Sequence, residues 1–305
     1  MSKFLTVLFV LSFLVFQVKA QQEVMFTQYM FNPMALNPAY AGSHEAISFT
    51  GLAREQWVGL EGAPRTQTFS VHSPTSNDKV ALGFGLVNDQ LGVTRQTTMN
   101  LNYAYRIRFP EGGTLSFGLR SSLTNYVAEF SKLRVRQVND VNFTNNDVNK
   151  LLVNFGTGLY YYTDYYYFGL AIPRLLTNKL SDNEASFARE QRHYYLRAGL
   201  VFPLTDGLKL KPHFLLKATE GSPLELDINA NLLIKEVLWF GLSYRTGDSF
   251  DALTEIQLTD QLRIGYSYDF YTVTDLREVQ SGSHEITINY RLKYAKHKVI
   301  TPRYF

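Results

Sequence analysis

Six histidines, His44, His72, His193, His213, His284 and His297, are the side chains of this sequence best suited to proton transfer near neutral pH. No two are spaced as a helix-borne zinc pair would be. The absence of cysteine removes both a thiolate nucleophile and a sulfur ligand. His193 and His213 fall on candidate strands with acidic residues on strands nearby, which leaves open a hydrolase pairing histidine with serine or aspartate. Such an enzyme needs one of them within hydrogen-bond reach of both a serine and a carboxylate, and no nucleophile motif lies near either. The second charged constellation is Lys209, Lys211, His213 and Lys217, followed by Glu225, Asp227, Asn229 and Asn231. A turn at 220–223 places Lys217 opposite Glu225 or Asp227. Lys217, Glu225 and Asp227 therefore read as a self-neutralising ion-pair network. A selective pore would show an excess of one sign. No catalytic group, cofactor site or metal site is assigned.

Charged residues recurring at every second position must sit on strands, because a strand turns successive side chains to opposite faces. The segment 97–109 shows the pattern without a miss from Met99. Met99, Leu101, Tyr103, Tyr105, Ile107 and Phe109 share one face; Asn100, Asn102, Ala104, Arg106 and Arg108 share the other. Equivalent segments fall at 46–54, 66–72, 79–88, 97–109, 113–124, 152–162 and 165–172, then at 192–202, 208–219, 224–234, 237–246, 250–258, 262–270 and 285–293. Most have the 9–11 residues that a tilted strand needs to cross a bilayer. Their even total, fourteen, suits a bacterial outer-membrane barrel. The expected fold is all-β, a 14-stranded antiparallel transmembrane β-barrel. The second and twelfth strands have the shortest apolar faces.

The remaining composition bounds the reading. Lys3 followed by the apolar run 4–18 and Val18-Lys19-Ala20 reads as a secretory signal peptide over 1–20, cut before Gln21. Without Lys3 and Lys19 the charge is nearly balanced, at 28 basic and 27 acidic side chains, which is no footprint for nucleic acid. No later apolar run is long enough for a spanning helix, so a membrane crossing has to be a closed barrel. The expected organisation is a signal peptide over 1–20, a periplasmic or luminal N-terminal segment over 21–45, a barrel over 46–293 and a periplasmic tail over 294–305.

Connection lengths supply an orientation. The even-numbered connections at 110–112, 163–164, 203–207, 235–236 and 259–261 are short. The odd-numbered ones at 55–65, 125–150, 173–191 and 271–284 are long, although those at 220–223 and 247–249 are not. Barrels of the outer membrane keep short turns in the periplasm and long loops outside, which puts both termini in the periplasm. Tyr160, Tyr161, Tyr162, Tyr165, Tyr166 and Tyr167 flank one short turn, as phenols at a headgroup boundary would. The Asn- and Asp-rich stretch 137–150 reads as a solvated outer loop, and its sequon at Asn142 as chance.

Two segments resist a strand assignment. Residues 28–42 are apolar and aromatic, with Pro33 and Pro38 preventing a long helix, so something must cover them, and the lumen is nearest. Residues 54–65 form an outer loop carrying Trp57, Arg54 and Arg65, residue types common among interface anchors. Asn37, Pro38, Tyr40, Arg54, Gln56, Trp57 and Arg65 are the candidate partner-binding residues.

At these residues the chain resembles the PorP/SprF family of type IX secretion outer-membrane proteins. The resemblance runs from Phe26 to the C-terminus. It is carried by Gln28-Tyr29-Met30-Phe31-Asn32-Pro33, Asn37-Pro38-Ala39-Tyr40-Ala41-Gly42, Arg54-x-Gln56-Trp57 and Gly62-Ala63-Pro64-Arg65-Thr66. Asn88-Asp89-x-Leu91-Gly92, Tyr103-Ala104-Tyr105-Arg106, Gly265-Tyr266-Ser267-Tyr268-Asp269, Gly282-Ser283-His284-Glu285-Ile286 and Pro302-Arg303-Tyr304-Phe305 continue it. The resemblance implies a non-enzymatic barrel in the cell outer membrane, in contact with its lipid. It also implies a partner, either the C-terminal domain of a secreted adhesin or type IX components including an OmpA-like peptidoglycan-binding lipoprotein. The Asn37-Pro38-Ala39 lead also suits a fatty-acid-channel (FadL-like) transporter of small apolar molecules, a rival that the polar inward faces disfavour.

Overall fold

The computed structural model describes residues 23–133, 147–181, 188–271 and 278–292. The expected signal peptide, most of the stretch 137–150 with its sequon, and the tail 294–305 lie outside these residues. The chain enters through a turn-rich strap over 23–46, which holds a single helical turn α1 (Pro33–Leu36) and a 3-10 turn over Pro38–Tyr40. The strands follow: β1 (Ile47–Glu55), β2 (Arg65–Pro74), β3 (Val80–Leu91), β4 (Thr94–Arg108), β5 (Thr114–Ala128), β6 (Val148–Tyr162) and β7 (Tyr166–Ile172). The second half has β8 (His193–Leu200), β9 (Phe202–Thr205), β10 (Leu208–Thr219), β11 (Glu225–Ile234), β12 (Leu238–Arg245), β13 (Ser249–Gln257), β14 (Leu262–Tyr271) and β15 (Ser283–Leu292).

Every strand but β9 pairs antiparallel with a neighbour on each side, and β1 closes the ring against β15 from Ile47↔Leu292 to Glu55↔His284. The ring has fourteen staves, because β8 and β9 are two halves of the expected segment 192–202. The strand breaks at buried Val201. Beyond it Pro203 has no N–H for the ladder, and the pairing with β10 slips in register. The other expected strands are present within a few residues, the second and twelfth included.

The two faces sort as period 2 requires. On β4, Leu101, Tyr103, Tyr105 and Ile107 are exposed around the outside, whereas Asn100, Asn102, Ala104 and Arg106 are buried inside. Closure pairs every full-length strand on both sides, leaving only the short β9 paired on one, which is what allows such an apolar exterior to sit in lipid. Strands β4, β5 and β6 have 15 residues each, more than a bilayer needs. Their outward faces change from Met99, Leu123 and Leu151 to Thr97, Arg95, Asn125 and Asn149, so the surplus rises past the lipid at the long-connection end.

The tyrosine expectation needs correction. Tyr161, Tyr165 and Tyr166 face outward, but Tyr160, Tyr162 and Tyr167 are buried in the lumen. Alternation divides a run of adjacent tyrosines between the two faces, whatever their affinity for headgroups. Inside, the Arg197 guanidinium lies over the Tyr160 and Tyr167 rings at 5.7 and 4.8 Å, and Arg106 donates to the Tyr162 hydroxyl at 2.9 Å.

Candidate functional site

The strap runs the length of the lumen, and its contacts give its direction. Near the long-connection end, Glu285 on β15 accepts the backbone N–H groups of Thr27 and Gln28 at 3.0 and 2.7 Å. Lower down, Asn32 donates to Thr68 at 3.3 Å, and Arg120 donates to the Ala35 carbonyl at 2.9 Å. Lower still, the Asn37 amide donates to the carbonyls of Leu159 and Leu170 at 3.0 and 3.2 Å. Its oxygen accepts from the Ala39 N–H at 2.9 Å, capping the 3-10 turn. At the short-turn end Tyr40 bonds His44 at 2.8 Å, and His44 bonds Ser48 at the foot of β1 at 2.9 Å.

Consequently Glu23, the first described residue, sits at the mouth formed by the long connections, while β1 starts at the opposite end. The termini themselves, expected on the short-turn side, lie outside the described residues. Connection lengths orient strands only, and the strap crosses the barrel before the first strand begins.

Arg54 locks the upper strap. Its guanidinium reaches Asp269 at 2.6 Å, Glu285 at 3.1 Å and the Thr27 hydroxyl at 2.7 Å, with no solvent exposure of the three charged side chains. The hydroxyl of Thr27 in turn donates to Asp269. Arg54 with Glu285 spans the β1–β15 seam, and Asp269 adds β14, so one cation ties three staves to the strap. Sequence reading named Arg54 as a candidate partner-binding residue, and Asp269 and Glu285 only within motifs that carry the family resemblance. Their burial against Arg54, on β14 and β15, shows only once the ring closes.

Of the candidate partner-binding residues, Asn37, Pro38, Tyr40 and Arg54 are therefore enclosed and bonded within the barrel, out of reach of an outside partner. Gln56, Trp57 and Arg65 lie at the long-connection mouth, with Gln56 and Trp57 half-buried and Arg65 exposed. In the expected lumen network, Lys217 pairs with Glu225 at 3.6 Å, in register across β10 and β11. Asp227 instead pairs with Arg245 at 3.0 Å, a residue the sequence reading did not include. The histidines that an enzyme would need are engaged otherwise. Nδ1 of His193 meets the Gln191 carbonyl at 3.1 Å, and His213 meets the Lys211 carbonyl and the Asn231 amide, each at 3.4 Å.

The mouth holds a cavity of about 360 Å³ lined by the start of the strap, the 54–65 loop, the β3–β4 tip, Tyr126, and Arg174, Leu180, Glu190, Gln191 and His193. In its wall the Glu23 carboxylate is 3.3 Å from Arg174 and 3.6 Å from His193. Burial alone would raise its pKa, but the charge of Arg174, with Arg120 and Lys217 behind it, outweighs that and holds the carboxyl below its ordinary range. Arg174 also bonds Glu190 at 2.8 Å.

Comparison with known proteins adds a family and a fold. The family described as type IX secretion system membrane protein PorP/SprF matches residues 18–290. A solved structure titled as the CymD monoaromatic hydrocarbon channel superposes with a TM-score of 0.53 at 12% identity, covering 88% of this chain and 94% of that one. A Pseudomonas aeruginosa FadL homologue matches with a TM-score of 0.43 at 14% identity, over 80% of this chain and 89% of that one. The first likeness shows a shared barrel fold and nothing about cargo. No curated protein matches the sequence.

Proposed function

The chain belongs to the type IX secretion system membrane protein family PorP/SprF, and on that footing we propose that it works as a plugged barrel holding an exported adhesin at the cell surface through the adhesin's C-terminal domain. Its membership and its barrel make it an outer-membrane component of that secretion system, in a structural or secretion role rather than that of an enzyme. The filled lumen supports the finer reading. A bore crossed end to end by its own strap offers partners a rim and two ends, not a path. The wall is also wrong for an apolar cargo. Ser48, Thr50, Ser70, Asn100, Asn102 and Ser122 face inward and are buried, along with paired ions. That counts against the transporter of small apolar molecules.

The test is recovery of partners from detergent-solubilised outer membrane, joined to a deletion strain. The expected result is co-purification of an adhesin C-terminal domain, with that adhesin lost from the surface of the deletion strain while other type IX cargo is still exported. Recovery of a peptidoglycan-binding lipoprotein, with export failing for every cargo, would assign the chain to the core machine instead. Recovery of neither would overturn the proposal.

A further inference from the structure

We propose that the cavity at the long-connection mouth is a receptor site for one basic side chain, arginine or lysine, presented on an extended polypeptide segment approaching from outside the cell. This deepens the adhesin-holding reading by naming what the mouth recognises, and it rests on that reading only for the identity of the polypeptide.

Charge and unmet hydrogen-bonding capacity carry the inference. Three carboxylates, Glu23, Asp89 and Glu190, line the cavity, against one guanidinium, Arg174. His193 does not alter the balance. Its Nε2 accepts the Glu23 backbone N–H at 3.4 Å, which requires an unprotonated nitrogen, and its Nδ1 faces the Gln191 carbonyl at 3.1 Å. In that tautomer the imidazole is neutral, and its Nδ1, 3.6 Å from Glu23 Oε2, spends its proton on the Gln191 carbonyl at 3.1 Å instead. Glu190 accepts from Asn154, Asn178 and Arg174 on both oxygens, and Asp89, which is not fully buried, accepts from Thr66 at 2.6 Å. The Glu23 carboxylate has no such set of partners. Its Oε2 is buried without a hydrogen bond, on a residue that lines the cavity. An unmet buried carboxylate oxygen favours a charged donor strongly, because it has already lost its water.

The wall supplies the complementary group. Trp57 also lines the cavity, and its indole N–H is buried without a partner, a donor awaiting a carbonyl. It is held there by a strained and braced loop. Trp57 adopts φ 49°, its backbone N–H donates to Ser283, and Val58 bonds Gly282 and Ser281 on the facing connection. A buried donor and a buried anionic acceptor lining one cavity suit the two polar ends of a basic residue within a peptide, its backbone carbonyl and its charged head. Leu91, Leu180 and Val24 line the same cavity and suit the methylene stem. At about 360 Å³ the volume falls in the range of small ligand sites, enough for one residue and not for a folded domain.

The test uses the purified full-length barrel in detergent. Intrinsic fluorescence reports the site, since the chain has two tryptophans and Trp239→Phe leaves Trp57 alone. The probes are acetyl-Gly-Arg-Gly-amide and its neutral isostere acetyl-Gly-citrulline-Gly-amide. Saturable change with the arginine peptide is expected, at least tenfold weaker with citrulline and equally weakened by Glu23→Gln. Calorimetry on Trp57→Phe with intact Trp239 should show several-fold weaker binding of both peptides. Heat-modifiable mobility on gels confirms that each variant is a closed barrel. Equal binding of the two peptides, no binding of either, or full binding by Glu23→Gln overturns the proposal. Because the barrel is titrated alone, a negative result removes this site and leaves adhesin holding intact. An unaffected adhesin in the deletion strain removes that reading and leaves the titration untouched.

Discussion

At the scale of single residues, Arg54 is the group on which the upper lumen depends. It neutralises Asp269 and Glu285 where no water reaches, and it bonds the strap through Thr27. Removing one partner of a buried ion pair leaves the other charges uncompensated, at a cost of about 3–5 kcal/mol. Arg54→Ala is expected to lower barrel stability by that order, read as a fall in the temperature at which the folded gel band is lost. Arg54→Lys should recover only part of it, since a single ammonium cannot copy the fork that reaches both carboxylates. A second test concerns close approach. A methyl group added at Gly118 would fall on the backbone of Ala39, and one at Gly158 on the Asn37 side chain. Backbone cannot swing aside, so Gly118→Val is expected to destabilise the barrel by at least the roughly 1–3 kcal/mol of an overpacked core, while Gly85→Ala, which meets only ordinary contacts, should be nearly neutral. Equal effects of the two on thermal unfolding would mean that the 3-10 turn does not press on the wall.

At the scale of elements, the strands were legible because alternation is a local signal that each segment carries by itself. Met99 to Phe109 reveals its two faces without reference to any other strand. The break at Val201 was not legible, because it depends on how Pro203 meets β10. Nor was the partition of the tyrosine run, where residue preference pointed one way and period 2 decided. The strap shows the same division. Its apolar, proline-interrupted sequence required a cover, and Phe26, Tyr29, Met30, Met34, Leu36 and Tyr40 are buried. Its direction depends on pairings such as Thr27 with Glu285, 258 residues apart. That direction yields a prediction. An epitope inserted between Ala20 and Gln21 should be labelled by antibody on intact cells, because Glu23 lies at the long-connection mouth. An epitope after Phe305 should be labelled only after permeabilisation, because β15 descends to the short-turn end. Protection of the N-terminal epitope on intact cells would mean that the strap does not cross the barrel in the membrane.

At the scale of the whole molecule, the lumen is a core rather than a channel, and its two kinds of bonding have separate consequences. The buried apolar side chains of the strap, at about 1.5–3 kcal/mol each, outweigh any one polar contact and make the strap part of the fold. The polar contacts fix its register, since each bonds a particular stave: Glu285 for Thr27, Thr68 for Asn32, and the β6 and β7 carbonyls for Asn37. A plug held both ways is expected to stay in place while an ion would pass. In planar bilayers the intact protein is therefore expected to show no resolved conductance steps at moderate voltage. A variant lacking 23–36, which loses most of the apolar anchor and the Arg54 lock, should conduct if it still gives the heat-modifiable band of a closed barrel. Where that deletion fails to fold, Thr27→Val with Asn32→Ala loosens the register while keeping the apolar anchor, and brief openings are expected. Large steady openings from the intact protein would show that the strap leaves a path. Function would then have to be sought in what passes through the barrel, and not in what binds its ends.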